Sequence, residues 1–299
     1  IGKTGGGAAR WIKLGPVRFQ PSEIAKVGII LYFAAGLSKR NSQLGPPPEK
    51  KWNRRTLLGR TCERLDRIGF LELLPYGVAL VAVLGVIGLQ KHMSAMILVI
   101  VAAASVLFAA GIRLGWFAAG GALAGAALWL IITKTDYMTE RIKIWQNPLS
   151  DLQDGGYQPW QGRIAIGSGG LLGVGLGNSR QKYLFLPEEH NDYIFSIWCE
   201  EMGLVGAVVL MALFALLIIR GFWLALHARD RFGTLLIVGI MSLFAFQVFF
   251  NIGVVTGFLP PTGISLPFFS YGGTALLITL GEMGMVLSVS RQIAAPKAE

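Results

Sequence analysis

The 299 residues are 53% hydrophobic and only 15% charged, where soluble domains run at about 45–50% and about 25%. That balance excludes an ordinary soluble globule. Several charge-poor windows can cross about 30 Å of hydrocarbon, so the chain reads as all-α, a polytopic helical membrane protein. The net charge of +10 does not point to nucleic acid, because the basic residues gather between apolar stretches, where they set orientation across a membrane.

The first twenty residues are polar and glycine-rich, centred on Gly5-Gly6-Gly7-Ala8-Ala9-Arg10-Trp11-Ile12. Trp11 suits a membrane interface. Gln20-Pro21-Ser22-Glu23 then opens a helix. Pro21 fits a first turn, where its missing N–H costs nothing. Glu23 complements the positive end of the helix dipole. The first span is expected at 22–38, with Glu23 and Lys26 on one face. Such a pair is either an interface anchor or part of a site.

Residues 39–70 form a basic loop, with nine Lys or Arg against Glu49, Glu63 and Asp66. The positive-inside rule places it in the cytoplasm. Further spans are expected at 71–89, 93–111, 115–133, 195–219, 233–256 and 274–290, with a long outer loop over 134–194. Seven spans then make one membrane domain over 1–299. Cys62 and Cys199 fall in a loop and a helix, which is no disulfide framework.

The loop 134–194 is the polar exception. It carries Arg141, Lys143, Arg163, Arg180 and Lys182, glycines at 167, 169, 170, 173, 175 and 177, and then Pro187-Glu188-Glu189-His190-Asn191-Asp192. No P-loop, HExxH, CxxC or GxSxG motif occurs in the chain. The glycines fit either a backbone nest for phosphate or tight packing of the loop on the bundle. Glu188, Glu189 and Asp192 are the sharpest candidates for chemistry. Asp192 can cap the coming helix. The same placement puts a carboxylate at the mouth of a membrane cavity, beside His190, where it can take a proton from a sugar hydroxyl. A free carboxylate with a pKa of about 4 is a weak base, and partial desolvation strengthens it. Glu200 and Glu201 lie deeper, so at least one of them is expected to have a cationic or hydrogen-bonding partner. Arg10, Lys26, Lys91, Arg163, Arg180 and Lys182 lie on the outer side or at its edge. Singly each reads as an interface anchor, together as an anion site.

Several runs resemble the shape, elongation, division and sporulation family of cell-wall membrane proteins, which includes RodA and FtsW. They are Gly7 to Ile12, Gln20 to Lys26, Gly155 to Gln158, Ala165 to Leu171, Gly175 to Phe195 with Glu200-Glu201-Met202-Gly203, and Leu259 to Gly273. The likeness runs from end to end. The run Thr262-Gly263-Ile264-Ser265-Leu266-Pro267-Phe268-Phe269-Ser270-Tyr271-Gly272-Gly273 is most similar to the division and sporulation branch.

The resemblance implies ten spans, so three are expected to precede Ile1. It implies a peptidoglycan glycosyltransferase of the bacterial plasma membrane, polymerising lipid II on the outer side, with a class B penicillin-binding protein (a transpeptidase) as partner. It maps the catalytic aspartate onto Asp192, the essential arginine onto Arg10, and the Glu and Lys of the Gln-Pro-Ser-Glu motif onto Glu23 and Lys26. Gln20, Lys182, Glu188, His190 and Ser270, from the same runs, complete the expected substrate-binding set. Asp192 would take the proton from the acceptor's 4-hydroxyl in an inverting transfer, and undecaprenyl pyrophosphate would leave. Arg10, Lys26, Lys182 or a divalent cation, Mg or Mn, would meet the charge growing on the leaving group. No protein ligand set for a metal is expected. The alternative readings are a lipid II flippase and a non-catalytic scaffold that recruits a transpeptidase. The span interiors are nearly free of charge apart from Glu282, which disfavours translocation.

Overall fold

Pro21 opens helix α1 (Pro21–Ser42), as its fixed φ and missing N–H allow. The computed structural model describes the chain outside residues 1, 6–7, 15–16, 43–68, 91, 135, 154, 184, 188–189 and 294–299. Most of the basic loop therefore lies outside the described residues. The long helices that follow are α2 (Phe70–Leu89), α3 (Met93–Ala109) and α4 (Leu114–Lys134). Within the polar loop come α5 (Asp136–Gln146), a 3₁₀ turn (Pro148–Asp151) and α6 (Tyr157–Ser168). The chain continues through α7 (Ile194–Leu226), α8 (Arg231–Val255) and α9 (Gly273–Ser290). Each of the seven expected spans falls on one long helix, although α7 runs seven residues past the expected end at 219 and α1 four past the expected end at 38. Four of these, Leu71–Leu89, Ile194–Leu226, Arg231–Val255 and Gly273–Ser290, are long and apolar enough to cross a membrane. Met93–Ala109 and Leu114–Ala126 are shorter apolar helices.

One element was not expected from the glycine-rich start. Strands β1 (Gly2–Gly5), β2 (Ala8–Leu14) and β3 (Val17–Phe19) form a small antiparallel sheet in that order, with Ile12 opposite Phe19. The reason is local. Trp11, Ile12, Val17 and Phe19 favour strands, and Gly5-Gly6-Gly7 and Gly15-Pro16 are turn signals between them. Elsewhere in the described chain the regular secondary structure is helical, as an all-α membrane bundle requires.

Helix α8 is the spine of the bundle. In its most apolar stretch 67% of residues are buried, against 6% for α2. Ile237, Ile240, Met241, Leu243 and Phe244 are fully enclosed. Gly239 is where three helices converge: a Cβ there would run into Ile30 of α1 and Val106 of α3. In lipid, apolar side chains gain little by leaving the solvent, so helices associate through close packing that small residues permit. Ala95, Ala102 and Ala103 give α3 the same smooth buried face. At the end of α8 near residue 231, the Arg231 guanidinium donates to the Ala110 carbonyl at 2.8 Å and ties α8 to the end of α3.

Helix α7 is broken at Gly203, where φ is 65° and ψ is −167°. That conformation is essentially restricted to glycine. A break strands backbone groups that must find other partners, and the glycine-rich run supplies them. Val174 N donates to Glu200 O at 3.0 Å and Gly175 N to Glu201 O at 3.0 Å. In return Leu204 N donates to Gly170 O at 2.9 Å and Val205 N to Leu171 O at 3.1 Å. A Cβ at Gly169 would strike the Cys199 carbonyl, and one at Gly173 the Glu201 carbonyl. Of the two readings the glycines allowed, the structure displays close packing on the bundle.

Candidate active site

The two glutamates of α7 are held by the segment just past the glycines. Glu200 is 2% exposed. Its carboxylate accepts from Ser179 Oγ at 2.5 Å, Arg180 N at 3.1 Å and Gln181 N at 3.3 Å. Glu201 pairs with Lys182 at 2.9 Å, and Lys182 also donates to the Gly177 carbonyl at 2.6 Å. The hydrogen bond to Glu201 holds the Lys182 ammonium above its ordinary pKa. The expected partners of the deep acids are therefore present, and they fasten the loop to the helix. Lys182, expected to bind substrate, is engaged within this fastening. Arg180 is exposed.

The turn before α7 is gripped by the segment after α8. The carbonyls of three successive residues each accept a hydrogen bond. Tyr271 N donates to His190 O at 2.7 Å, Ser270 Oγ to Asn191 O at 2.6 Å, and Asn251 Nδ2 to Asp192 O at 2.8 Å. Ser270 Oγ also accepts from Leu266 N at 2.7 Å. Asn251 Nδ2 reaches Ile264 O at 2.7 Å as well. Gly263 faces the Asp192 carboxylate: a Cβ on that glycine would lie 3.1 Å from Oδ2.

Asp192 is not the helix cap. Tyr193 occupies that position, and no side-chain capping bond forms there. The Tyr193 phenol is buried, and its pKa is pushed up first by that burial and then by the Asp192 charge, against Arg163 and Arg141. A phenol so shifted stays neutral and is no rival base. Asp192 is half-buried.

The polar loop reaches over the same place. Arg141 Nη1 donates to Pro261 O at 2.7 Å and Trp145 Nε1 to Gly257 O at 2.8 Å. The Arg163 guanidinium lies against Gly257 and fills the place of a Cβ there, and the φ of +80° itself favours glycine. Ser94, at the start of α3, donates to the Thr262 carbonyl. A cavity of about 540 Å³ opens here, lined by His190 and Ile194 on one side and by Phe268, Phe269, Ser270, Tyr271, Gly272, Gly273 and Leu276 on the other. Its wall includes the residues two places before and two places after Asp192. The volume falls in the range of small-molecule sites.

A second, smaller crevice adjoins it through Phe268, Ser270 and Leu276, and reaches Glu23, Gln247 and Thr279. Glu23 pairs with Lys26 at 2.8 Å, with Lys26 only 2% exposed. Both act electrostatically on Glu282 of α9, which is also 2% exposed. Gln20 meets His92 at 3.3 Å.

The structure thus gathers His190 and Ser270 at one cavity, with Asp192 in the turn between its lining residues His190 and Ile194, and Glu23 in the adjoining crevice. Arg10 lies in strand β2, and Glu188 and Lys91 lie outside the described residues. Among the described residues no three His, Cys, Asp or Glu side chains group as a metal site. His190 lines the cavity and Asp192 stands two residues along the same turn, and both are metal-ligand types. Sequence reasoning missed Asn251, Gln247 and Trp145. For Asn251 and Gln247 a signal existed, since a polar side chain inside an apolar helix needs a partner.

A sequence profile of the FtsW/RodA/SpoVE cell cycle proteins matches residues 1–295. A probable peptidoglycan glycosyltransferase FtsW of Geobacter sulfurreducens is 39% identical over 293 residues, covering 98% of this chain and 73% of the relative. Among solved structures, one described as structural coordination of polymerization and crosslinking by a peptidoglycan synthase complex matches with a TM-score of 0.71 at 29% identity, over 99% of this chain and 77% of the other. The rod shape determining protein RodA of Thermus thermophilus matches with a TM-score of 0.63 at 30% identity, over 99% and 73%.

Proposed function

The chain belongs to the FtsW/RodA/SpoVE family, and we infer from that membership that it is a peptidoglycan glycosyltransferase of the bacterial plasma membrane that polymerises lipid II. The observation that carries this reading is the cavity of about 540 Å³ walled by His190, Ile194 and residues 268–273, with Asp192 in the turn between the first two and facing Gly263. We infer that the three remaining long helices cross the membrane beside the four that are long and apolar enough to do so, with the basic loop 39–70 on the cytoplasmic side and the cavity on the outer side.

Asp192 acts as general base on the acceptor sugar's 4-hydroxyl, whose oxygen attacks C1 of the donor as the pyrophosphate departs. Asp192 is half-buried, and Gly263 faces its carboxylate closely. Lys26, paired with Glu23, supplies positive charge toward the leaving pyrophosphate. The apolar wall of Phe268, Phe269 and Leu276 excludes water and suits the lipid-linked end of the substrate. A divalent cation, Mg or Mn, would be held mainly by substrate phosphates, as such ions usually are, with Asp192 and His190 the protein groups at hand. The partner is a transpeptidase, a class B penicillin-binding protein, and the similarity to a complex that joins polymerization to crosslinking supports it.

The test is glycan-chain formation from purified lipid II by the full-length protein with its transpeptidase. Asp192→Asn should slow polymerisation by about 10²–10⁴-fold. An unchanged rate would overturn the assignment. Lipid II scrambling in liposomes without polymerisation would favour a flippase.

A further inference from the structure

Asn251 sits near the end of α8 and is 1% exposed. Its side-chain amide has two N–H donors, and both are used. One goes to the carbonyl of Asp192 and the other to the carbonyl of Ile264. Those carbonyls belong to two separate segments, the turn before α7 and the segment after α8. Asp192 carries the carboxylate, and Ile264 follows Gly263, the residue that carboxylate faces.

The other two grips on this turn, from Tyr271 N and Ser270 Oγ, come from the irregular segment after α8. Asn251 is different in origin. It projects from the most buried helix of the bundle, between Val248 and Val255, which are themselves buried. It therefore refers the Asp192 backbone to the rigid core instead of to another loop. A site built on a helix is held more closely than one built on loops.

We propose that Asn251 is a positioning residue for Asp192, fixing the carboxylate against the Gly263 wall by bonding both backbones with one amide. This rests on the reading of Asp192 as general base. Asn251 touches no reacting atom. It acts by holding Asp192 where the acceptor hydroxyl arrives, and a displacement of about 1 Å can cost on the order of 10²-fold in rate.

A double-mutant cycle tests it, using lipid II polymerisation by the full-length protein with its transpeptidase. Asn251→Ala should lower kcat by about 10–100-fold with little change in KM. Asn251→Gln, which keeps both donors on a longer stem, should recover part of the loss. Added to Asp192→Asn, Asn251→Ala should leave the residual rate within about twofold, because residues acting as one unit are not additive. Thermal midpoints of the detergent-solubilised variants separate misfolding from mispositioning. If Asn251→Ala does not fold, the cycle is run with Asn251→Gln. A multiplicative loss in the slow Asp192→Asn background would overturn the proposal alone. A wild-type rate for Asp192→Asn would overturn the base assignment and the proposal together.

Discussion

Gly173 and Gly203 meet backbone to backbone, each in a left-handed conformation, with φ of 79° and 65°. A Cβ on Gly173 would lie 2.7 Å from the Gly203 nitrogen. Gly203→Ala should therefore strain its own backbone by about 1–3 kcal/mol and push the glycine-rich run away from α7. The expected outcome is a lower thermal midpoint and a poor yield of folded protein. Gly167, in α6 with nothing within 4 Å of its Cβ position, is the control. There alanine should be neutral or stabilise by up to about 1 kcal/mol.

Gly263→Ala tests the site more directly. Its φ is +68°, and the new methyl would lie 3.1 Å from Asp192 Oδ2. The left-handed conformation costs an alanine about 1–2 kcal/mol. The larger effect should be on polymerisation, because the methyl occupies the space the carboxylate faces. Comparing kcat with the thermal midpoint checks this: kcat should fall by more than the stability loss explains.

The Glu23–Lys26 pair predicts an asymmetry. Lys26→Met leaves Glu23 and Glu282 facing each other without the intervening cation, whereas Glu23→Gln leaves Lys26 with Glu282 still in range. Breaking a buried pair costs about 3–5 kcal/mol, and the lysine variant should sit at that end. Adding Glu282→Gln to Lys26→Met should return part of the stability. Thermal unfolding of the three variants measures it.

Lys182 gives a pH expectation of definite sign. Its pKa is raised above 10.5 by the Glu201 hydrogen bond. A raised lysine contributes stability that is complete below the unfolded value and is lost only as pH climbs through the higher folded one. Between about pH 6 and pH 9 its contribution is constant. Lys182→Met should therefore lower the thermal midpoint by a similar amount across that window and leave KM for lipid II unchanged. A rise in KM would return Lys182 to the substrate.

The helices were legible because their apolar runs have the length of a membrane and end at Gly, Pro or charge. The need of Glu200 and Glu201 for partners was legible too, since unpaired charge at that depth is costly. Which partners they take was not, because Ser179 and Lys182 are reached only through the bend at Gly203. Asp192 read as a cap because it stands two residues before α7. Its true neighbours, Asn251 and Gly263, lie far along the chain, and no local periodicity points to them. The small sheet escaped notice because its glycines masked short runs of strand-forming residues.

Gly239 has a bearing on how the protein is made. Ile30 and Val106 emerge early from the ribosome, yet the residue that seats them both arrives only after the polar loop and α7 have been translated. At about 5–20 residues per second that wait is on the order of ten seconds. During it α1 and α3 stand in the bilayer without their shared partner, open to wrong associations. Any truncation that stops short of α8 would make that interval permanent, so insertion machinery able to shelter half-built bundles should matter more for this chain than for one whose central helix comes first.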